Sequence, residues 1–286
     1  MLKNVTNYHY PGSLDEAYEL HDRESRSFFI AGGTALALSD STRPVELIDV
    51  SRLEMNDLKL DKKRGRLTIG ATTKIQRLVE SEEVRPVLGG FLSKSLEEIG
   101  SYPIRNAGTL GGSLVRPFPW SDVLPILAVL DTSVTYYHDG ERGTRSFSRL
   151  YEDGFRSTLN DSVIEKITID LPEEKNSAGV FKKFNRSEFD VAALNLACRI
   201  TQEGGEVKEA RLAVGARPMK ARRARDVEKA LIGEELGGRI ARDAGKMAAR
   251  KLELKDDKKI SGEYRKTLVD KMTNEALKEV SKEVSK

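Results

Sequence analysis

A single cysteine, Cys198, serves the whole chain. That excludes an internal disulfide framework and any cysteine-ligated cluster held by this chain alone. The three histidines, His9, His21 and His138, are scattered without metal-ligand spacing and read as surface or packing residues. There is no G-x-S-x-G, no P-loop, no paired-carboxylate signature and no G-x-G-x-x-G unit for a nicotinamide cofactor. The longest nearly unbroken apolar run, Val123 to Leu130, is too short to span a bilayer, and the first twenty residues lack the apolar stretch of a signal peptide. The expectation is a cytoplasmic protein without membrane insertion. Neither charge sign dominates: 48 basic residues stand against 45 acidic ones, a net charge of +3, so the basic count does not signal nucleic acid. The run KARRAR, Lys220 to Arg225, has no interleaved aromatics for base stacking. It reads as the opening of a helix continuing to Leu231, its cations set against acidic neighbours or a partner subunit. With no reactive constellation of its own, a redox function would need an imported group.

Glycine is what stands out. Residues 104 to 122, IRNAGTLGGSLVRPFPWSD, place Gly108, Gly111 and Gly112 beside Thr109 and Ser113, ahead of the apolar run VLPILAVL. Glycines at that density permit positive φ and let backbone N–H groups approach a ligand with no Cβ in the way. Successive N–H groups form an anion-binding concavity, to which the Thr109 and Ser113 hydroxyls add donors. A shorter version lies upstream, where Phe28-Phe29-Ile30 reads as a buried strand before Ala31-Gly32-Gly33-Thr34 and a run, ALALSD, that can open a helix. One Gly-Gly pair alone is ordinarily a tight turn. Two such segments together point to a shared diphosphate ligand.

Around these segments the pattern is mixed. Ser13 is placed to cap a helix from Leu14, with Glu16 completing a capping box. VELIDV and RLTIG (66 to 70) read as strands, and Thr72 or Thr73 as the cap of a helix carrying Ile75, Leu78 and Val79. Helical patterning covers 84 to 99, and a helix starts near Asp122, which is placed to cap it. Strands follow near 133 to 137 and 163 to 171, then, past a boundary at Leu171 to Ser177, at 180 to 184, 192 to 201 and 207 to 214. Two or three charged helices finish the chain. Hydrophobic content of 38% is low and charged content of 33% high for a globular protein.

The order strand, AGGT, IRNAGTLGGS and P-x-S-D-x-x-P-x-L resembles the FAD-binding medium subunit, or flavin domain, of molybdenum hydroxylases, the group that includes carbon-monoxide dehydrogenase and xanthine dehydrogenase. FKKFNRSEFDVAALNLACRI, GARPMKARRARDVEKALIG and SGEYRKTLVDKM resemble later segments of the same family, so the likeness spans nearly the whole chain. It implies an α+β fold: a PCMH-type FAD-binding domain over 1–172, with subdomains of about 1–55 and 56–172, then over 177–286 a C-terminal domain of a small antiparallel sheet with a helical bundle. It implies FAD contacts at Phe29, Ile30, Ala31, Gly32, Gly33, Thr34, Ala35 and Leu36, and at Ala107, Thr109, Gly111, Gly112 and Ser113. It implies others at Ile99, Gly100, Ser121, Asp122 and Lys166, and at Lys182 or Lys183, where the register leaves open which lysine faces the flavin. Ile99 equally suits plain core, and Asp122 suits a helix cap.

The chain departs from the pattern at Ser113, where relatives commonly have Asn, at Ala35, where they are often acidic or polar, and at Arg116, Pro117 and Trp120, where they usually carry small residues. The function implied is electron transfer: electrons from a molybdenum cofactor on a large subunit pass through 2Fe-2S clusters of an iron–sulfur small subunit to FAD here, in a heterotrimer or its dimer. Hydroxylation itself belongs to a partner chain. Two other readings stand beside it, a stand-alone FAD oxidoreductase of the same fold and a non-catalytic module that binds a phosphate ligand.

Overall fold

The computed structural model describes residues 4–23, 26–36, 43–115, 118–153, 159, 161–172 and 176–284. The fold is α+β, and the chain forms two compact units that interleave in sequence. The first comprises Met1–Leu78, Tyr102–Arg116 and Thr132–Ile169, and the second Val79–Ser101, Pro117–Asp131 and Asp170–Lys286.

In the first unit, β1 (Val5–His9), β2 (Ser27–Ile30) and β3 (Val45–Asp49) make a parallel sheet in the order β1-β3-β2. The central strand is buried and the outer two are not. Phe28 is accordingly exposed, against the expectation of a buried strand, because β2 is an edge whose outer face meets solvent. Helix α1 (Leu14–Arg23) packs Ala17 against Ile48, Val50 and Val163. It is capped as its sequence requires: Ser13 Oγ accepts from the Glu16 N–H at 3.1 Å. The Glu16 carboxylate reaches back one residue further than a capping box would, to the Gly12 N–H. A five-stranded sheet follows, built from β4 (Leu58–Asp61), β5 (Arg66–Gly70), β6 (Asp131–His138), β7 (Glu141–Ser146) and β8 (Val163–Asp170) in the order β4-β5-β8-β6-β7. Helices α2 (Ile75–Glu80), α4 (Tyr102–Ala107) and α5 (Leu110–Val115) accompany it, as does α7 (Phe147–Asp153).

In the second unit, β9 (Ser177–Phe184), β10 (Leu194–Glu203), β11 (Glu206–Gly215) and the short β12 (Arg222–Arg223) form an antiparallel sheet in chain order. One face presents Val180, Leu194, Leu196, Cys198, Ile200, Leu212 and Val214 to α8 (Arg225–Leu231), α9 (Gly238–Lys251) and α10 (Gly262–Val284). Small residues on α9 let α10 come close: a Cβ on Gly245 would lie 2.5 Å from Asp270 O. On α10 the fully buried Arg265 donates to the carbonyls of Ala216, Ala193, Ile260 and Lys255 and to Asp257, satisfying a cation that burial would otherwise penalise. Residues of the opposite sheet face meet α3 (Phe91–Glu97) and α6 (Val123–Ala128). Gly179 lies against the Phe91 ring, where a Cβ would come within 2.6 Å. KARRAR does not open a helix. Arg222 and Arg223 extend the sheet opposite Val214 and Ala213, and the helix starts only at Arg225. No described helix is long and apolar enough to cross a membrane.

Candidate cofactor site

Within the first unit the two glycine segments meet backbone to backbone. A Cβ on Gly32 would lie 2.1 Å from Ala107 O and 2.9 Å from Gly108 Cα, and one on Gly108 would lie 3.6 Å from Thr34 Oγ1. Only glycine permits that approach at 32, and Gly33 adopts φ +68°, the left-handed region that favours glycine. Residues 110–115 are a helix, not the open loop their composition implies, and none of Gly108, Gly111 and Gly112 has positive φ. Gly111 is needed for packing, since its Cβ would fall 2.6 Å from Ala71 Cβ. A ladder then joins this segment to 71–75: Gly111 N–H donates to Ala71 O, Leu110 N–H to Thr73 O and Ile75 N–H to Gly108 O.

That ladder overturns two expectations. Neither Thr72 nor Thr73 caps α2. The first turn of α2 is served by Gly108 O, while Thr73 Oγ1 donates to Asp57 O at 3.4 Å. Nor is 109–113 an open nest. Gly112 N–H donates to Thr109 Oγ1, so Thr109 caps α5, and the Ser113 hydroxyl, expected as a ligand donor, bonds back to Thr109 O at 3.0 Å. The anion-binding capacity lies upstream instead: the N–H groups of Gly32, Gly33, Thr34 and Ala35, all half-buried, donate to no other described residue. Phe29, Ile30 and Ala31 lead into this turn half-buried, and Leu36 is buried behind it. No acidic side chain lies in 29–36 or 107–113, and Lys74 Nζ donates to Ala107 O at 3.0 Å beside them. A glycine cradle, free N–H groups and a neighbouring cation are what a diphosphate requires. Lys166 sits half-buried on β8, next to Glu165, whose carbonyl takes the Ala71 N–H.

The second unit gathers a different cluster. Asp122 precedes α6 but makes no capping bond with its side chain. Its buried carboxylate instead accepts from Lys183 Nζ at 2.9 Å and from Asn195 Nδ2 at 2.6 Å, and Asn195 also donates to Ser121 O. Burial pushes the Asp122 carboxyl above its ordinary range, against the opposing pull of Lys183 and Asn195. Strand alternation separates the two lysines: Lys183, only 3% exposed, joins Asp122 and Glu98 O, whereas Lys182 pairs with Glu279 on α10. Gly100 has φ +53°, and Ile99 before it is half-buried, not core.

A family model for the FAD binding domain in molybdopterin dehydrogenase matches residues 3–172. The chain belongs to this family. A second model, the CO dehydrogenase flavoprotein C-terminal domain, matches residues 179–280. The glyceraldehyde dehydrogenase medium chain of Sulfolobus acidocaldarius is 28% identical over 276 residues, covering 94% of this chain and 96% of its own. Two solved structures share the fold with a TM-score of 0.90. Carbon monoxide dehydrogenase from Hydrogenophaga pseudoflava, in a form lacking the Mo-pyranopterin moiety, is 24% identical and covers 99% of both chains. Quinoline 2-oxidoreductase from Pseudomonas putida 86 is 23% identical and covers 100% of both.

Two residues of this family member escaped the sequence reading. Asn195 was signalled by being the one polar position in the apolar run AALNLA, and Lys74 carried no signal apart from its place before a helix. Of the departures, Ala35 stands in the cradle with its N–H donating to no described residue, Trp120 stacks on Phe118, and Arg116 and Pro117 lie outside the described residues, as does most of ALALSD.

Proposed function

We propose that this chain is the FAD-binding electron-transfer subunit of a molybdenum-hydroxylase-type oxidoreductase. The observation that carries the reading is the contact of Gly32 with Ala107–Gly108 in a chain of an FAD-binding family, because it sets the N–H groups of 32–35, which donate to no described residue, into one anion cradle. Bound FAD supplies redox chemistry that none of the side chains can. The chain's part is to hold it. The N–H groups of 32–35 donate to the diphosphate, Lys74 adds positive charge, and the Asp122–Lys183–Asn195 cluster fixes polar groups that the resemblance assigns to the flavin side.

The domain division at 172/177, the roles of Ile99, Gly100, Ser121 and Lys166, and a cytoplasmic location belong to the same proposal. Cys198 is buried and alone, so iron–sulfur clusters reside on a partner chain, and the family resemblance assigns the molybdenum cofactor to another partner. The relative named a medium chain is itself, by that name, one chain of several.

The test is to purify the tagged chain from its native source. It is expected yellow, releasing FAD on denaturation, together with a cysteine-rich chain and a large chain. Gly112→Val probes whether 109–113, folded into the start of helix α5, borders the ligand held by the cradle. A Cβ there meets only Thr109 Oγ1, at 2.9 Å, so stability should fall by about 1 kcal/mol while flavin occupancy drops at least tenfold. Full occupancy in this variant removes 109–113 from the site, and a colourless wild-type protein without FAD sinks the function.

A further inference from the structure

Helix α4 ends on the backbone that Gly32 meets, since Ala107 O and Gly108 Cα are atoms that a Cβ on Gly32 would strike. At six residues α4 is too short to hold its own geometry in water. Its place must come from what it packs against, yet Tyr102 and Ile104 are 57% and 45% exposed. Arg105 is the one buried residue of the helix.

The anchor of α4 is therefore a guanidinium, not an apolar side chain. Arg105 Nε donates at 2.7 Å to Oε1 of Gln76, which is itself buried on α2, 29 residues away in sequence. A guanidinium taken out of water is costly unless its donors are met, and its planar fork fixes the direction of each bond as well as its length. The two residues before Gln76 hold the end of the same segment: Lys74 Nζ donates to Ala107 O, and the Ile75 N–H to Gly108 O. Residues 74 to 76 thus grip α4 and the turn after it at three points. All of these groups belong to the first unit.

We infer that Arg105 and Gln76 are positioning residues for the cofactor, whose buried bond sets α4 so that Ala107 and Gly108 close one side of the cradle against Gly32. Neither side chain touches FAD in this scheme. The inference rests on the function proposed above. Because the approach of Ala107 O to Gly32 leaves no room for even a methyl group, a small shift of α4 alters the shape of the cradle. Donors to a diphosphate lose their value when they stand off their productive positions.

The test compares the full-length wild type with Gln76→Met, which keeps the length of the side chain and removes the acceptor, and with Gln76→Glu, which restores one. Arg105→Lys keeps the charge without the guanidinium Nε, and it answers the same question if Gln76→Met does not fold. Each apo protein is titrated with FAD well below its melting temperature, with binding read by ultrafiltration and flavin absorbance. Amide hydrogen exchange over 102–111 reads the hold on α4 with no cofactor present. Gln76→Met and Arg105→Lys should bind FAD about tenfold more weakly and exchange several-fold faster over 102–111, while β3 stays protected as in wild type. Gln76→Glu should return both readings to within about threefold of wild type. A bond that served stability alone would lower the melting temperature and leave the FAD affinity of the folded protein unchanged. That result, or a loss that Gln76→Glu does not recover, overturns the positioning role and leaves the proposed function standing. Failure of wild type to bind FAD at all overturns both.

Discussion

Replacing Asp122 with asparagine keeps the shape of the group that Lys183 and Asn195 hold, but it removes the charge and turns one of the two accepting oxygens into an N–H donor. Burial raises the Asp122 carboxyl above its ordinary value, but the amide leaves either the buried Lys183 ammonium or the Asn195 amide facing a donor, so Asp122→Asn should cost about 2 kcal/mol. Asp122→Ala, which leaves Asn195 Nδ2 and the buried Lys183 ammonium short of an acceptor, should cost about 3 kcal/mol. The sign of the pH effect follows. A carboxyl raised in the folded state binds more protons there than in the unfolded chain, so its contribution is fully present below the ordinary carboxylate value. It is lost as pH rises through the shifted value. Urea titrations across that window should show wild-type stability falling with pH and Asp122→Asn lacking that slope; parallel profiles would defeat the assignment. At this scale the sequence announced the glycines and Asp122 but not their partners, because the bond from Asn195 to Asp122 spans 73 residues and no local periodicity encodes it.

Among the elements, legibility followed burial. Strands β9 to β11 alternate or run apolar because each is packed on a face, and α10 carries its buried Leu268, Met272, Leu277 and Val280 at helical spacing. β1, β4 and β7 went unread because they are edge strands, VTNYH, LKLD and ERGTRS, held by backbone pairing with little apolar pattern. The α4–α5 segment was misread because glycine ordinarily breaks helices; here Gly111 is retained inside one for its approach to Ala71. KARRAR was misassigned for a related reason, as arginine favours helices and the strand pairing at 222–223 is tertiary. Its structure divides two arginines that look alike. Arg223 donates from Nε and Nη2 to the two oxygens of the buried Glu228, which also accepts the Leu212 N–H. Arg222 is exposed. Arg223→Glu should therefore cost about 3 kcal/mol or more, and Arg222→Glu should stay within about 0.5 kcal/mol, measured by thermal melting. Only Arg222 then serves to probe a partner surface, since loss of assembly in Arg223→Glu would follow from a damaged fold.

For the molecule as a whole, near-balanced charge and one thiol define what this chain can do alone. A lone buried cysteine cannot hold an iron–sulfur cluster, so any electron that reaches a flavin here from such a cluster crosses from another chain. The same thiol reports on integrity. Cys198 lies on β10 with no exposure, facing the helices of the second unit, and burial pushes its thiol up to about 12. The reactive thiolate is thus absent at neutral pH, and reagent must wait for the sheet to part from α8, α9 and α10. In native buffer a thiol reagent should label Cys198 at least about 10³-fold more slowly than it labels a free cysteine peptide, as an opening cost of 5 kcal/mol or more requires. Labelling should accelerate with urea in step with loss of helical circular dichroism. A rate within tenfold of the peptide's in native buffer would show that the C-terminal sheet and helices open locally. The core of the second unit would then be far weaker than its packing around Leu194, Leu196, Leu212 and Val214 implies.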